Sequence, residues 1–227
     1  MKQNHRTGAD IFVIALWIAT LGITGLLYSR LPEQIPMQWG LDGQVNSYGS
    51  RSSIWLTASL PLLMYLLMKI VPRIDPRTDS YRKHASAFRA TMVATIVFMV
   101  AVHGLVLAAS LGVPLAVDTF VKAGVGVLFV VIGSYLTQAR PNYTFGIRLP
   151  WTLASETVWR KTHRIGGPVF VVSGIGFIAV APISGIISVI VPFVLLFGGL
   201  IGLAVYSYIA YTREQGRDGA SEQSETG

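Results

Sequence analysis

The sequence predicts an all-α integral membrane protein with six transmembrane helices. Its composition is 52% hydrophobic and 13% charged, and its mean hydropathy is +0.56, whereas about a quarter of the residues of an ordinary soluble domain are charged. Apolar segments long enough to cross a hydrocarbon core of about 30 Å recur along the chain, separated by short polar segments. The 227 residues include no cysteine, which excludes disulfides, thiolate catalysis and cysteine-based metal sites.

Four apolar runs and one double-length run give the six spans. The first four cover about 11–29, 54–71, 91–111 and 119–139. The stretch 167–211 is too long for one helix, and Pro182 and Gly185 should divide it into a helical hairpin. The first run resembles a signal peptide, but it is long enough to span a bilayer and no small-residue cleavage site follows it, so we keep it as a span.

Lysine and arginine are concentrated in the loops on one side of the predicted bundle. That side holds Lys2, Arg6, Arg73, Arg77, Arg82, Lys83, Arg89, Arg140, Arg148, Arg160, Lys161, Arg164, Arg213 and Arg217. The opposite loops hold Arg30 and Arg51, with Lys122 at a helix start. The positive-inside rule therefore places both termini in the cytoplasm. We attribute the net charge of +7 to topology and lipid contacts rather than to direct nucleic-acid binding.

These elements predict two units and a tail. Residues 1–71 form a two-span unit with an outer loop at 31–53, and residues 72–211 form a four-span unit with an inner loop at 140–167. Residues 212–227 contain no large apolar side chain and are expected to form a disordered cytoplasmic tail.

Few titratable side chains fall within the predicted spans. None has an aspartate or glutamate at its middle, which argues against an ion-coupled transporter. His103 lies deep in the third span. It is either satisfied by a neighbouring helix or serves as a ligand or proton site.

The outer loop predicts a small hairpin. In the stretch LPEQIPMQWGLDGQVNSYGSR from Leu31 to Arg51, Asp42-Gly43 is a turn signal between two short runs that could pair, at 35–39 and 44–48. The hairpin is either a cover over the outer face of the bundle or an exposed recognition surface. The recognition candidates are Pro36, Trp39, Gly43, Tyr48 and Gly49.

The inner loop predicts an irregular segment followed by an amphipathic helix. Pro141 and Pro150 bracket the irregular part, and Gly146 permits a turn before Arg148. At about 100° per residue, one face of the following helix carries Trp151, Ala154, Ser155, Val158, Trp159, Thr162 and Ile165, and the other carries Glu156, Arg160, His163 and Arg164. We expect this helix to lie in the plane of the inner interface, with its tryptophans in the acyl boundary.

Local chemistry in the inner loop is limited. Glu156 and Arg160 have the spacing of a surface ion pair, and His163 follows one turn later. A third protein ligand for a metal is missing from this stretch. No catalytic residue, metal site or cofactor is predicted.

The inner loop carries a resemblance to a known family. From Asn142 to Arg164 the chain fits the pattern N-x-x-x-G-I-R-x-P-W-T-L-x-S-x-x-V-W-x-K-T-H-R, which resembles the signature of the SdpI-type immunity protein family. The outer loop resembles the small membrane domain of unknown function that often precedes this signature, with the form L-P-x-x-I-P-x-H-W-N-x-x-G-x-x-D-x-Y-G-S-K. The chain departs from that second pattern at Gln38, Gly40, Asn46 and Arg51.

The resemblance implies a six-span bacterial plasma-membrane protein that is not an enzyme and protects its producer against a secreted, membrane-active peptide toxin. It also implies signalling, in which a cytoplasmic transcriptional repressor is held at the membrane. The outer loop and outer helix ends would then sense the peptide, and the inner loop would dock a partner or lipid. The inner candidates are Asn142, Gly146, Arg148, Pro150, Trp151, Glu156, Trp159, Lys161, Thr162, His163 and Arg164.

The residues also permit a second function. A transporter or lipid-handling protein could use Arg148, Glu156, Arg160, Lys161 and His163 as one inner site for an anionic group. Arginine favours this alternative because its guanidinium can bind phosphate through two parallel hydrogen bonds.

Overall fold

The fold is a helical bundle with a two-stranded antiparallel sheet at one end. The structure is a computed structural model, and it describes residues 8–40, 43–77, 80–81 and 84–225, with side chains described as far as Arg217. The residues Lys2, Arg6, Asp42, Arg82 and Lys83, which the sequence analysis used, lie outside these ranges.

Six helices within the described ranges are long and apolar enough to cross a membrane. The α-helices whose bounds lie within the described ranges are, in order, α1 (Gly8–Leu27), α2 (Ile54–Ile74), α3 (Ala85–Ser110), α4 (Val117–Leu136), α5 (Pro150–Ala154), α6 (Glu156–Val180) and α7 (Ile187–Glu225). Of these seven, α5 is too short to span a membrane. The six predicted spans are thus present, and α6 and α7 separate at Ala181–Ile186, where the Pro182 to Gly185 break was expected.

The loop after α1 forms the two strands β1 (Gln34–Trp39) and β2 (Val45–Ser50). They pair antiparallel from Gln34 opposite Ser50 to Trp39 opposite Val45, with register shifts after Pro36 and after Gln38. Leu31 and Ile35 are buried with Ile54, Val106 and Leu107 in one apolar cluster. The hairpin is therefore packed onto the helices, and we call this end of the bundle the hairpin end.

Helices α4 and α6 approach each other through glycines. A Cβ atom built on Gly133 would lie 2.6 Å from the Gly167 carbonyl oxygen, and one on Gly126 would lie 2.6 Å from the Gly174 carbonyl oxygen. The two pairs are seven residues apart on each helix and run in opposite directions, so the helices are antiparallel with backbone against backbone. Small residues permit such close helix approach in membranes.

Helix α7 carries a second pair of glycines four residues apart, Gly198 and Gly202, a spacing that permits close helix approach. A Cβ built on either glycine would have no described atom within 4 Å, whereas one on Gly199 would meet Val169. The Gly198 and Gly202 pair is therefore not used for packing against the described residues.

His103 is held by threonines from two other helices. Its Nε2 lies 2.8 Å from Thr24 Oγ1, and its Nδ1 lies 2.9 Å from Thr57 Oγ1. The imidazole is 2% exposed, and both ring nitrogens have partners. This matches the first of the two alternatives for His103, a histidine satisfied by neighbouring helices.

The prediction that the helix after Pro150 lies in the plane of the membrane interface is wrong. Residues after Ser155 form the first turns of α6 and run directly into the span, with Val158, Trp159, Thr162 and His163 buried. The apolar face of an amphipathic helix can be covered by lipid or by protein, and here neighbouring helices and the preceding loop cover it. His163 lies among these buried residues rather than on a charged face.

The tail also differs from the expectation of disorder. Helix α7 continues through residues 212–225. Extending an existing helix costs far less than starting one, and Glu, Gln, Arg and Ala favour helix. The absence of apolar residues therefore did not stop the helix.

We expect Gly133→Ala to lower the free energy of unfolding by about 1–3 kcal/mol, because the new methyl group would push the α4 and α6 backbones apart. Gly104→Ala in α3 is the matched control, since a Cβ there meets nothing within 4 Å and alanine favours helix. The measurement is the temperature at which each purified variant loses its monodisperse size-exclusion peak in detergent. Equal midpoints for the two variants would contradict the glycine contact.

Candidate functional site at the signature end

The irregular loop at 140–149 is folded around the side chain of Asn142, at the end of the bundle that we call the signature end. Asn142 is 0% exposed. Its Oδ1 accepts hydrogen bonds from the Thr144 and Phe145 amides at 2.9 and 2.5 Å, and its Nδ2 donates to the Arg140 and Phe145 carbonyls at 2.7 and 2.8 Å. Buried backbone groups need partners, and here one amide side chain supplies four.

A buried carboxylate ties this loop to the other half of the chain. Asp75 follows α2 directly and is 3% exposed. It accepts hydrogen bonds from the Tyr143 amide at 2.9 Å, the Thr144 hydroxyl at 3.1 Å, the Tyr81 hydroxyl at 3.1 Å and the Arg77 amide at 2.8 Å. The loop between α4 and α5 is thereby fixed to the end of α2.

The protonation states at this carboxylate follow from its surroundings. Burial alone would raise the pKa of Asp75, but the hydrogen bonds from Arg77, Tyr143, Thr144 and Tyr81 lower the pKa below its ordinary value. Burial and the Asp75 charge raise the pKa of the Tyr81 hydroxyl. Asp75 is therefore an anion at neutral pH, and Tyr81 is a neutral donor to it. This stabilisation is complete above the ordinary Asp pKa and is lost as the pH falls through the lowered one.

His163 joins α6 to the turn at Gly146. Its Nδ1 lies 2.9 Å from the Trp159 carbonyl oxygen, and the Ile147 amide donates to its Nε2 at 2.9 Å. These partners assign the Nδ1–H tautomer of a neutral ring, which also stacks on Trp159 with centroids 4.1 Å apart. Both nitrogens are occupied, so His163 holds the loop and has no free lone pair for a metal or a substrate.

Gly146 is required at this point for two reasons. Its φ of +116° lies in the region that favours glycine. A Cβ there would also collide with His163 Nε2. The Gly-Ile-Arg order in the signature is explained by this turn, since the Ile147 amide that it presents is the donor to His163.

Among the remaining uncharged signature residues, the two tryptophans contact other segments of the bundle and the two threonines make local hydrogen bonds. Trp151 Nε1 donates to Ser207 Oγ of α7 at 2.7 Å, and Trp159 Nε1 donates to the Ala139 carbonyl at 2.9 Å. Thr152 Oγ1 accepts from the Leu149 amide at 2.8 Å, beside Pro150 at the first turn of α5. Thr162 is buried and donates to the Val158 carbonyl.

The charged signature residues point to different places. Arg148 donates to the Tyr143 carbonyl, and Glu156 lies 3.9 Å from Arg140. Two separate clefts hold the other cations. One is lined by Thr137, Gln138, Ala139, Arg140, Arg160 and Arg164, and the other by Thr157, Lys161, Tyr206, Ile209, Ala210, Arg213, Glu214 and Arg217.

The five hairpin candidates also have different roles. Gly43 has a φ of +76° in the turn, and a Cβ on Gly49 would lie 2.8 Å from Met37 Cγ. Pro36 is buried opposite Tyr48, which is 59% exposed, and Trp39 is half-buried. Tyr48 is therefore the most exposed of the five, whereas Trp39, Gly43 and Gly49 are partly exposed.

Sequence reasoning missed Asp75, Tyr81, His84 and Ser207. His84 is 0% exposed; its Nδ1 accepts from the Arg140 amide at 3.3 Å, and its Nε2 is without a partner among the described residues. Burial and the Arg140 charge lower the pKa of His84. The available signal was Asp75 itself, an acidic residue between Arg73 and Arg77 at a helix end.

The described part of the chain contains no group of three or more histidine, aspartate or glutamate residues that could hold a metal ion. The arrangement can bind anionic groups at the exposed cations, while its interior, apart from the Nε2 of His84 that has no described partner, is used in holding the loop.

We expect Gly146→Ala to destabilise the protein by at least about 2 kcal/mol, because positive φ strain and a displaced His163 add together. Gly112→Ala is the matched control. Its φ is +80°, and a Cβ there meets nothing within 4 Å, so that variant should lose only the cost of the backbone conformation. Thermal unfolding followed by tryptophan fluorescence compares the two, and an equal loss in both would show that the contact with His163 has no effect.

The amino-acid sequence matches known proteins both in the part that forms the hairpin and in the part that forms the signature loop. Residues 138–211 match the model of the SdpI/YfhL protein family, and residues 15–64 match that of a domain of unknown function, DUF1648. Over 216 residues the chain is 26% identical to "Immunity protein SdpI" of Bacillus subtilis (strain 168), covering 95% of this chain and 99% of that relative. No solved structure matches the chain. These matches confirm the resemblance to the SdpI family that the signature indicated. Together with the six candidate spans, they support a multi-pass bacterial membrane protein.

Proposed function

We propose that this protein is a non-enzymatic membrane immunity protein that protects its producer against a secreted, membrane-active peptide toxin. The observation that carries the proposal is the similarity to a protein named for immunity over 95% of this chain. That similarity includes both the hairpin and the signature loop. It is therefore a likeness of the whole architecture and not of one motif.

The signature end supports a role in binding rather than in catalysis. Asp75, Asn142 and His163 are buried and each is engaged in hydrogen bonds with the loop, and His84 is also buried. A general acid or base must reach a substrate proton, and these groups are enclosed. The exposed charged groups are mostly cations, with Glu156 among them, and the cations suit anionic partners.

The alternative transporter or lipid-handling site has less support. It required Arg148, Glu156, Arg160, Lys161 and His163 to converge. Arg160 and Lys161 line different clefts and His163 is buried. These five residues therefore do not form a single site for an anionic group.

We place the hairpin end outside and the signature end with both termini in the cytoplasm. The lysine and arginine distribution supports this orientation. The cleft with Lys161, Arg213 and Arg217 would then face the cytoplasm. Its positive charge suits an acidic surface on a protein partner, such as the repressor that the family resemblance implies.

We expect single cysteines to report this orientation, because the chain has no cysteine of its own. Ser47→Cys in β2 should react with a membrane-impermeant maleimide in intact cells. Arg164→Cys should react only after the membrane is permeabilised. Both side chains are exposed, so access to the reagent is decided by the side of the membrane. The reverse labelling pattern would contradict the orientation.

We expect the chain to raise the survival of a sensitive bacterium during challenge with secreted membrane-active peptides. Asp75→Asn should abolish protection, because it removes the anion that holds the signature loop.

The double variant Lys161→Glu and Arg213→Glu should keep protection but lose any peptide-dependent change in transcript levels, since it reverses the charge of the cytoplasmic cleft. Survival counts and RNA sequencing measure the two effects.

Unchanged survival across a broad peptide panel would overturn the immunity proposal. Loss of protection by the double variant, with normal amounts of protein in the membrane, would show that the cleft serves protection itself rather than signalling. The amount of each variant in the membrane is measured by blotting.

A further inference from the structure

A cavity of about 410 Å³ lies at the hairpin end, between β1 and the ends of four spanning helices. Its walls are largely apolar, and they come from both halves of the chain. The lining residues that carry the argument are Trp39 of the hairpin, Thr57 of α2, Val106 of α3, and Asp118, Val121 and Lys122 of α4. It is distinct from the signature end in position and in chemistry.

An ion pair lies in this apolar wall. Lys122 Nζ is 3.2 Å from Asp118 Oδ2, and the two side chains are 11% and 17% exposed. Lys122 also donates to the Ile183 carbonyl at 2.6 Å and to Ser188 Oγ at 3.2 Å. An ammonium has three donors, so Lys122 is saturated by this chain.

Asp118 is not saturated in the same way. Its Oδ1 faces the hairpin turn, where a Cβ built on Gly43 would lie 3.3 Å away. Within the described ranges, no hydrogen-bond donor contacts this oxygen. The Asp118 side chain is 17% exposed, and a carboxylate oxygen that accepts no hydrogen bond from the described residues is open to a ligand donor at the cavity wall.

We propose that this cavity binds an apolar chain that carries a primary amine. The apolar walls would cover the chain, and the ammonium would donate to Asp118 Oδ1. A ligand with a carboxylate is disfavoured, because the negative charge of Asp118 would repel it and Lys122 has no free donor for it. A secreted peptide with a lysine or a free amino terminus beside apolar side chains has this chemistry. The assignment to such a peptide rests on the proposed immunity function.

The position of Thr57 gives an occupant a contact with the bundle interior. Thr57 lines the cavity and also lies 2.9 Å from His103 Nδ1. His103 in turn contacts Thr24 of α1. A ligand in the cavity would therefore contact Thr57, which is linked through His103 to Thr24 and so joins α2 to α3 and α1.

The test uses the full chain in nanodiscs of phosphatidylcholine, with 12-bromododecylamine as the probe and 12-bromododecanol as its uncharged counterpart. Bromine quenches nearby tryptophan, and the signal of Trp39 is obtained by subtracting that of the Trp39→Phe variant. We expect the amine to quench Trp39 at about tenfold lower concentration than the alcohol, the effect of one charge-assisted hydrogen bond. Asp118→Asn should remove this difference.

A second pair of variants guards against loss of folding in Asp118→Asn. Val121→Phe should fill the cavity and weaken amine quenching of Trp39, whereas Val127→Phe, at a position 54% exposed on the same helix, should leave it unchanged. Equal quenching by amine and alcohol in the parent chain would overturn the proposal, and so would equal effects of the two phenylalanine variants. Either result would mean that the probes quench Trp39 from the lipid bilayer and not from the cavity.

The cavity and the proposed function can fail separately. If the parent chain protects cells but shows no amine preference, the cavity inference is wrong and the immunity function stands. If it shows the amine preference but gives no protection, the cavity inference stands and the immunity function is wrong. Loss of both amine preference and protection in Asp118→Asn, with Val127→Phe unaffected, would support the two together.

Discussion

The structure at the signature end depends on one buried carboxylate. The loop at 140–149 has no helix or strand to satisfy its backbone, and the side chains at its centre, Asn142 and Asp75, are buried. Asp75 accepts the Tyr143 amide and two hydroxyls, and Asn142 satisfies the next amides. An anion that accepts several hydrogen bonds in a poorly hydrated site is held strongly because each bond is charge-assisted. Around this fixed loop, α5 and the first turns of α6 take their positions.

The order of residues in the signature follows from this arrangement. Gly146 gives the turn that aims the Ile147 amide at His163, and His163 stacks on Trp159. Trp159 in turn donates to the carbonyl of Ala139, three residues after the end of α4. Each contact needs its residue type at its own distance along the chain. A general basic amphipathic helix would satisfy none of them, which explains why the pattern is longer and stricter than membrane binding requires.

The spans could be predicted from the sequence because length and hydropathy alone decide them, and the hairpin because Asp42-Gly43 lies between two short runs that can pair. The interfacial helix could not be assigned correctly. An apolar face that carries Trp159 has the same period whether lipid or protein covers it. The role of Asp75 in holding the loop could not be predicted either, since its loop partner Tyr143 is 68 residues away. Local spacing carries no information about such a contact, and only the packing of α2 beside the loop creates it.

The glycine contacts between α4 and α6 connect the two ends of the molecule. Asp118 and Lys122 begin α4 at the hairpin end, and the same helix leads into the signature loop through Ala139. Because Gly126 and Gly133 place the backbone of α4 directly on that of α6, the two helices have little freedom to move past each other. A ligand can shift an equilibrium only by its different affinity for two arrangements. A signal from the cavity to the signature end would therefore have to move α4 and α6 as a pair against α2, and the hydrogen bonds of Asp75 lie at the boundary where that movement would be resisted.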